Sequence, residues 1–228
     1  MNLQLWRHEV RRAGRVAWIA PPVTAAGVVL LAVVDRSDGA AGRDALRNLF
    51  AALELALPLI AGVLAASLVG RDPAAELLLT TPVRYRTVLL RRLTVIVGWT
   101  AATALAAAAV LIPAGRWEHG PVAGQLVWLA PTLWLAAAGW LAAAVLRSPG
   151  AAGGIVAVLW LLQQVLGGPI QDSRAGRLLY LFASTRGADP GDWAGNRAVL
   201  LGTAAGLGAA AWVLLGRAER LVHTAVTE

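Results

Sequence analysis

The chain has no cysteine among its 228 residues. That excludes a disulfide framework, a thiolate metal site and a thiol nucleophile, and it leaves the redox compartment unmarked. Lysine is absent too, so all 20 basic residues are arginine. A strict phosphate-binding P-loop needs a lysine after its glycines to reach the phosphates, so this chain by itself is not a P-loop ATPase. Charge of either sign is scarce, 14% of residues against 58% hydrophobic, which is far from the balance of a soluble domain. With a mean hydropathy of +0.64 the expected solvent is a bilayer. The missing lysine, set beside abundant alanine and glycine, points to a GC-rich bacterial genome.

Catalytic chemistry is equally thin. The three histidines, His8, His119 and His223, lie far apart in sequence, and none pairs at the spacing of a helical metal site. No Gly-x-Ser-x-Gly elbow occurs, and Ser67 has no histidine nearby in sequence to activate it. No metal, no catalytic residue and no cofactor held by this chain are therefore expected. A net charge of +7 raises nucleic acid as a partner, but the arginines lie between apolar runs rather than along one basic face. Membrane topology accounts for them better, and no nucleic acid is expected.

What the sequence does have is long apolar runs. A helix needs about 20 mostly apolar residues to cross the hydrocarbon core. Six runs of that order are present, over Val16–Val34, Leu49–Gly70, Leu93–Ile112, Ala123–Leu146, Ala151–Gly167 and Ala198–Gly216, the fifth being short. The expected fold is an all-α membrane protein with six transmembrane helices in a single domain, residues 1–228. An even number of spans puts both termini on one side. If that side is the cytoplasm, twelve arginines lie inside and eight outside, and the outside arginines share their loops with seven aspartates and glutamates. Arginine density is highest beside the first three spans, where orientation is usually set, so both termini are placed in the cytoplasm. The chain reads as a multi-pass protein of a bacterial cytoplasmic membrane.

The opening MNLQLWRHEVRRAGR resembles the charged part of a signal peptide, but the apolar run after it is long, contains Pro21-Pro22 and lacks a convincing cleavage site. Leu3, Trp6, Val10 and Ala13 recur at helical spacing, with Arg7, Arg11 and Arg15 on another face. Residues 1–15 are expected to form an amphipathic helix lying in the cytoplasmic interface, retained in the mature protein. Of ten tryptophans, Trp6, Trp18, Trp117, Trp193 and Trp212 fall near span ends, as an aromatic belt requires.

Within the second span Glu54 stands out, since a charge at a span's centre costs about 2.5–3.5 kcal/mol on insertion scales. It reads either as a substrate-path or gating residue, or as a group near the outer surface that snorkels or pairs with Arg47. Its place near the outer end favours the second. Pro58, four residues on, removes a backbone hydrogen bond and is expected to kink this helix. Gln163 and Gln164 in the fifth span raise the same question, with hydrogen bonding between helices the expected role. Small-xxx-small patterns at Gly150/Gly154 and Gly202/Gly206 permit close helix approach, but in so Ala- and Gly-rich a chain they locate no particular interface.

Between spans two and three the chain reads RDPAAELLLTTPVRYRTVLLRR, residues 71–92, on the expected cytoplasmic side. An acidic and small-residue lead-in, Arg71-Asp72-Pro73-Ala74-Ala75, is followed by Glu76-Leu77-Leu78-Leu79. A turn at Thr81-Pro82-Val83 follows, then a basic stretch from Arg84 through Arg92. This order resembles the first cytoplasmic loop of type-2 ABC exporter permeases. It departs from that pattern in having Pro73 and alanines where the family often has a second acid and a glycine. Arg91 and Arg92 also stand where a lysine is common.

The resemblance extends to the whole architecture, including an outer segment over residues 168–197 similar to the family's re-entrant helices. It implies a permease subunit whose coupling helix docks on a separate ABC ATP-binding subunit, with Glu76, Leu77, Leu78, Thr81, Pro82, Arg84 and Arg86 at the contact. It also implies a second permease chain, identical or related, with ATP and Mg held by the partner ATPase. Arg91 and Arg92 serve equally as cytoplasmic anchors touching lipid headgroups. Export of an amphipathic or lipophilic small molecule, peptide or lipid is the expected activity. The alternatives are a membrane scaffold or immunity protein that moves nothing, and a membrane enzyme acting on lipid or peptide.

Overall fold

The computed structural model describes residues 14–37, 42–69, 85–111, 120, 122–185 and 191–226. Among them the secondary structure is helical, with no strand. The helices are α1 (Gly14–Ser37), α2 (Gly42–Ala66), α3 (Tyr85–Leu111), α4 (Leu126–Leu146, preceded by a 3-10 turn at Ala123–Gln125), α5 (Pro149–Val165), α6 (Gly167–Gln171), α7 (Arg174–Leu179) and α8 (Trp193–Val226). Among the described residues three stretches are long and apolar enough to cross a membrane, Tyr85–Ala109, Ala123–Leu146 and Trp193–Arg217; Leu53–Ala66 and Pro149–Val165 are shorter apolar helices. Each of the six runs expected from sequence coincides with a helix. The interfacial helix falls on residues 1–13, outside the described residues apart from its last turn, where Gly14 and Arg15 begin α1.

Hydrocarbon offers no partner for a polar group, so each hydroxyl inside these helices must find one locally. Thr100 Oγ1 donates to Ile96 O at 2.9 Å, Thr132 Oγ1 to Trp128 O at 2.6 Å and Thr203 Oγ1 to Val199 O at 2.7 Å, each one turn back along its own helix. Indole N–H groups reach further. Trp99 Nε1 donates to Trp18 O at 3.1 Å, tying α3 to α1, and Trp160 Nε1 donates to Leu55 O at 2.9 Å, tying α5 to α2.

The long helices alternate in direction, and the core shows it. One apolar cluster joins Ala17 at the start of α1, Leu64 and Ala66 at the end of α2, Leu89 at the start of α3, Ala143 near the end of α4, Ala152 at the start of α5 and Leu215 late in α8. The start of α1 and the late part of α8 therefore share one end of the bundle. A second cluster holds Leu53 and Leu57 of α2 with Ala104 and Ala107 of α3 and Trp128 of α4, and a third gathers Tyr180, Leu181 and Phe182 against Leu135, Val156 and Leu200.

Helices α2 and α4 form the centre, α4 packing chiefly on α2 and α8. Residues on every side of α4 are buried, including Trp128, Leu135, Ala136, Ala138 and Trp140, which is why its apolar residues show no single stripe. Helices α2 and α4 pack tightly at two glycines: a Cβ on Gly139 would lie 2.3 Å from the Gly62 carbonyl oxygen. The Gly150, Gly154, Gly202 and Gly206 positions, by contrast, have open space where a Cβ would sit.

Helix α4 ends on Arg147, a non-glycine residue at φ 53°. Ser148 then caps α5, its hydroxyl accepting from Ala151 N at 3.4 Å, with Pro149 in the first turn. A left-handed residue with a Cβ costs about 1–2 kcal/mol that glycine avoids. Arg147→Gly is therefore expected to raise stability by about 1 kcal/mol, read as a higher midpoint in thermal unfolding. A lower midpoint would show that the exposed Arg147 side chain contributes more than its backbone costs.

Candidate functional site: a buried ion pair under the turn after α7

The segment between α5 and α8 folds back as two short helices and a turn. Ser173 caps α7 by accepting from Gly176 N at 3.0 Å. The chain then turns inward, so that Tyr180, Leu181 and Phe182 are fully buried between helices, with Phe182 edge-on to Trp160. Asn196, in the first turn of α8, holds this inward turn through its backbone. Its Nδ2 donates to the carbonyls of Arg177 at 2.8 Å, Leu178 at 3.1 Å and Tyr180 at 2.8 Å. At the rim Arg177 Nε pairs with Asp192 Oδ2 at 2.8 Å, next to the N-terminus of α8, where a carboxylate is favoured by the helix dipole.

Beneath the turn lies Glu54. Sequence reasoning favoured a group near the surface that snorkels or pairs with Arg47. The structure instead buries it completely, at 0% exposure, against Arg197 of α8 at 1%. The physical reason is the turn after α7, which covers this part of α2 and supplies donors that no reading of α2 alone includes. Glu54 Oε1 accepts from Ser184 N at 3.1 Å and from Arg197 Nη2; Oε2 accepts from Thr185 N at 2.9 Å and from Thr185 Oγ1. An ionised carboxylate has about four acceptor positions, and here all four are taken. Arg197 Nη2 also donates to Ser184 Oγ at 2.7 Å, and Nη1 to Leu181 O at 3.4 Å. Ser184 Oγ accepts a further bond from Trp193 Nε1 at 3.1 Å, and the Trp193 ring lies 5.7 Å from the Arg197 guanidinium.

A carboxylate so fully occupied has no lone pair left for proton transfer or nucleophilic attack. It is a joint. Glu54 belongs to α2, its partner cation to α8, and both clamp a turn that also touches α5, where Gln163 Oε1 accepts from Leu181 N at 3.3 Å. That bond is to the turn after α7 rather than to another long helix; Gln164 beside it is half-buried. Pro58 lies in α2, buried, one turn below Glu54.

The other group of expected site residues falls elsewhere. Glu76, Leu77, Leu78, Thr81, Pro82 and Arg84 lie outside the described residues. Arg86, in the first turn of α3, is half-buried with its guanidinium 4.6 Å from the Trp212 ring of α8. Arg91 is exposed, whereas Arg92 is buried at 7% exposure.

Sequence reasoning missed Ser184, Thr185, Trp193, Asn196 and Arg197 as partners in the joint. Arg197 was assigned to an outer loop because it precedes the apolar run; the helix begins earlier, at Trp193. One signal was available. With alternating helices, the start of the last span and the start of the second share a side, so an acid and an arginine at those two places are candidates to meet. Comparisons with protein-family models, with curated proteins and with solved structures return no match for this chain, so the residues themselves carry the functional reading.

Proposed function

We propose that the chain is the membrane-spanning permease subunit of an ATP-driven ABC exporter, with six spans and both termini in the cytoplasm. A separate ATP-binding subunit docks on the loop between α2 and α3, and a second permease chain, identical or related, completes the pathway. The observation that carries this reading is the run from Glu76 to Arg86 placed between α2 and α3. Its Glu-Leu-Leu segment, Thr-Pro turn and basic stretch follow the order of a coupling helix.

The geometry of α2 supports the reading in a second way. This helix leads into the loop at one end and carries Glu54 at its midpoint. A displacement of the loop by closure of the partner ATPases travels along α2 to the joint with Arg197, where the outer turn is held. Rigid helices rocking about such a joint are a known form of switching between two states. Glu54 and Pro58 then act in gating, and Gln163 steadies the turn that the joint clamps. Export of an amphipathic or lipophilic compound fits walls made of Ala, Leu, Val and Trp. The cation-rich end of the bundle, with Arg86, Arg91, Arg147 and Arg217, sits in the cytoplasm in this orientation.

The test is to replace Leu77, Leu78 and Arg84 together with alanine and to follow co-purification with the ATP-binding subunit. The expected result is loss of the complex with an unchanged thermal unfolding midpoint of the membrane domain. Undiminished co-purification in a stably folded variant contradicts the docking assignment.

A further inference from the structure

Helix α3 packs on α1 and α2 but touches α4 and α8 only sparsely. The space this leaves is an apolar cleft of about 400 Å³. Leu90 and Val97 of α3 form one wall, Ala205 and Gly208 of α8 the other, and Ala136 and Trp140 of α4 the floor. The floor is closed, with Ala136 and Trp140 each 2% exposed, whereas Leu90 and Ala205 are exposed at the rim. The mouth therefore lies between α3 and α8 and faces out of the bundle. Its depth follows from the helices that build it. Val97 is the middle residue of Tyr85–Ala109 and Ala205 the middle residue of Trp193–Arg217, two of the stretches long and apolar enough to cross a membrane. From Val97 to Leu90 is about 10 Å of helix, against a hydrocarbon core of roughly 30 Å. No residue lining the cleft carries a charge or a hydroxyl.

We infer that this cleft is a binding site for a compact, rigid, uncharged lipophilic molecule taken directly from the bilayer. Access decides the charge. A ligand reaches the mouth only through hydrocarbon, where an ion is heavily penalised for leaving water, and the walls hold no counter-charge to offset that penalty. Rigidity follows from competition with lipid. A flexible tail finds in the cleft the same apolar contacts that its neighbours already give it, and it loses freedom on confinement. A rigid molecule has little freedom to lose and gains close packing that disordered tails do not offer. A volume of about 400 Å³ is within the range of small-molecule sites. Binding rests on the membrane setting alone; that the bound molecule is the cargo rests on the exporter reading above, whose cargo it narrows to uncharged compounds.

The experiment uses the full-length chain in phosphatidylcholine nanodiscs, without nucleotide or ATPase, and two diazirine photoprobes: an uncharged steroid and the same steroid bearing a quaternary ammonium. Labelled peptides are mapped by mass spectrometry over a range of probe concentrations. The uncharged steroid is expected to label the cleft faces of α3 and α8 saturably, and several-fold more than its cationic analogue. Gly208→Phe and Ala205→Phe, each filling the cleft from the α8 wall, are expected to abolish the saturable signal. Gly206→Phe, on the same helix but off the cleft, is expected to keep it. Gly206 and Gly208 have open space at the Cβ position and Ala205 is exposed, so none of the three new rings starts against a neighbour. Labelling that rises in proportion to probe without saturating, equal labelling by the cationic analogue, or a saturable signal that survives both fillings overturns the site. In a complex with the ATP-binding subunit the same steroid is expected to raise ATP hydrolysis with Gly206→Phe and not with Gly208→Phe; an equal response from both overturns the cargo role. A chain that forms no such complex contradicts the exporter reading and not the site.

Discussion

Glu54→Gln is expected to destabilise the protein by about 3–5 kcal/mol, because it leaves the Arg197 guanidinium buried without a counter-charge. The cation is 1% exposed. Arg197→Leu is expected to fall at or below the lower end of that range. The carboxylate it leaves behind still accepts from Ser184 N, Thr185 N and Thr185 Oγ1. Removing both charges together, in Glu54→Gln/Arg197→Leu, is expected to cost clearly less than the sum of the two, since neither charge is then stranded. Unfolding in mixed micelles, compared across the four proteins of this cycle, reads the coupling directly. Strict additivity would mean that the two groups do not act as a pair. The same double variant tests the clamp on the turn: with both charges removed, residues 181–185 are expected to become more open to a labelling reagent.

The second large effect is at the crossing of α2 and α4. In an exposed helix, Gly→Ala normally stabilises by about 1 kcal/mol. Gly139→Ala is expected to do the reverse, because its Cβ would stand 2.3 Å from the backbone oxygen of Gly62, and a backbone atom inside a central helix has no alternative rotamer. Overpacking of this kind costs typically 1–3 kcal/mol and more when the obstacle is rigid, so a loss of about 3 kcal/mol is expected. At Gly62 the nearest obstacle is a side-chain methyl, Val156 Cγ1 at 2.7 Å. Gly62→Ala is therefore milder and is partly rescued by Val156→Ala, whereas Gly139→Ala is not. Gly98→Ala and Gly202→Ala, with nothing near their Cβ positions, serve as controls and are expected to be neutral or stabilising. A harmless Gly139→Ala would show that the two helices can move apart without loss.

The apolar runs made the long helices legible, because an apolar run of about 20 residues has few other ways to satisfy its backbone; three of those described, Tyr85–Ala109, Ala123–Leu146 and Trp193–Arg217, are long and apolar enough to cross a membrane. Helix ends were less legible: α8 begins at Trp193, five residues before the apolar run, since Asp192 and Asn196 are taken up in local bonds that composition does not register. The joint was half legible. Glu54 is conspicuous as an acid in an apolar run, but its partner lies 143 residues away, and no local rule links them. Nearest-neighbour reasoning chose Arg47 instead. The glycines show the same limit. Gly-xxx-Gly spacing drew attention to Gly150/Gly154 and Gly202/Gly206, while the tight crossing uses Gly62 and Gly139, one glycine from each of two helices. Which faces of two helices meet is a property of the packed bundle and not of either helix.

The claim that this chain is moved by a separate motor is tested most directly by co-expressing it with a candidate ABC ATP-binding protein, purifying the two together and measuring ATP hydrolysis in a reconstituted membrane. The account predicts a stable complex of permease and ATPase chains whose hydrolysis rate rises when an amphipathic cargo is supplied, and in which Glu54→Gln breaks that response while hydrolysis itself persists. A chain that elutes alone, with ATPase activity indifferent to its presence, would contradict it.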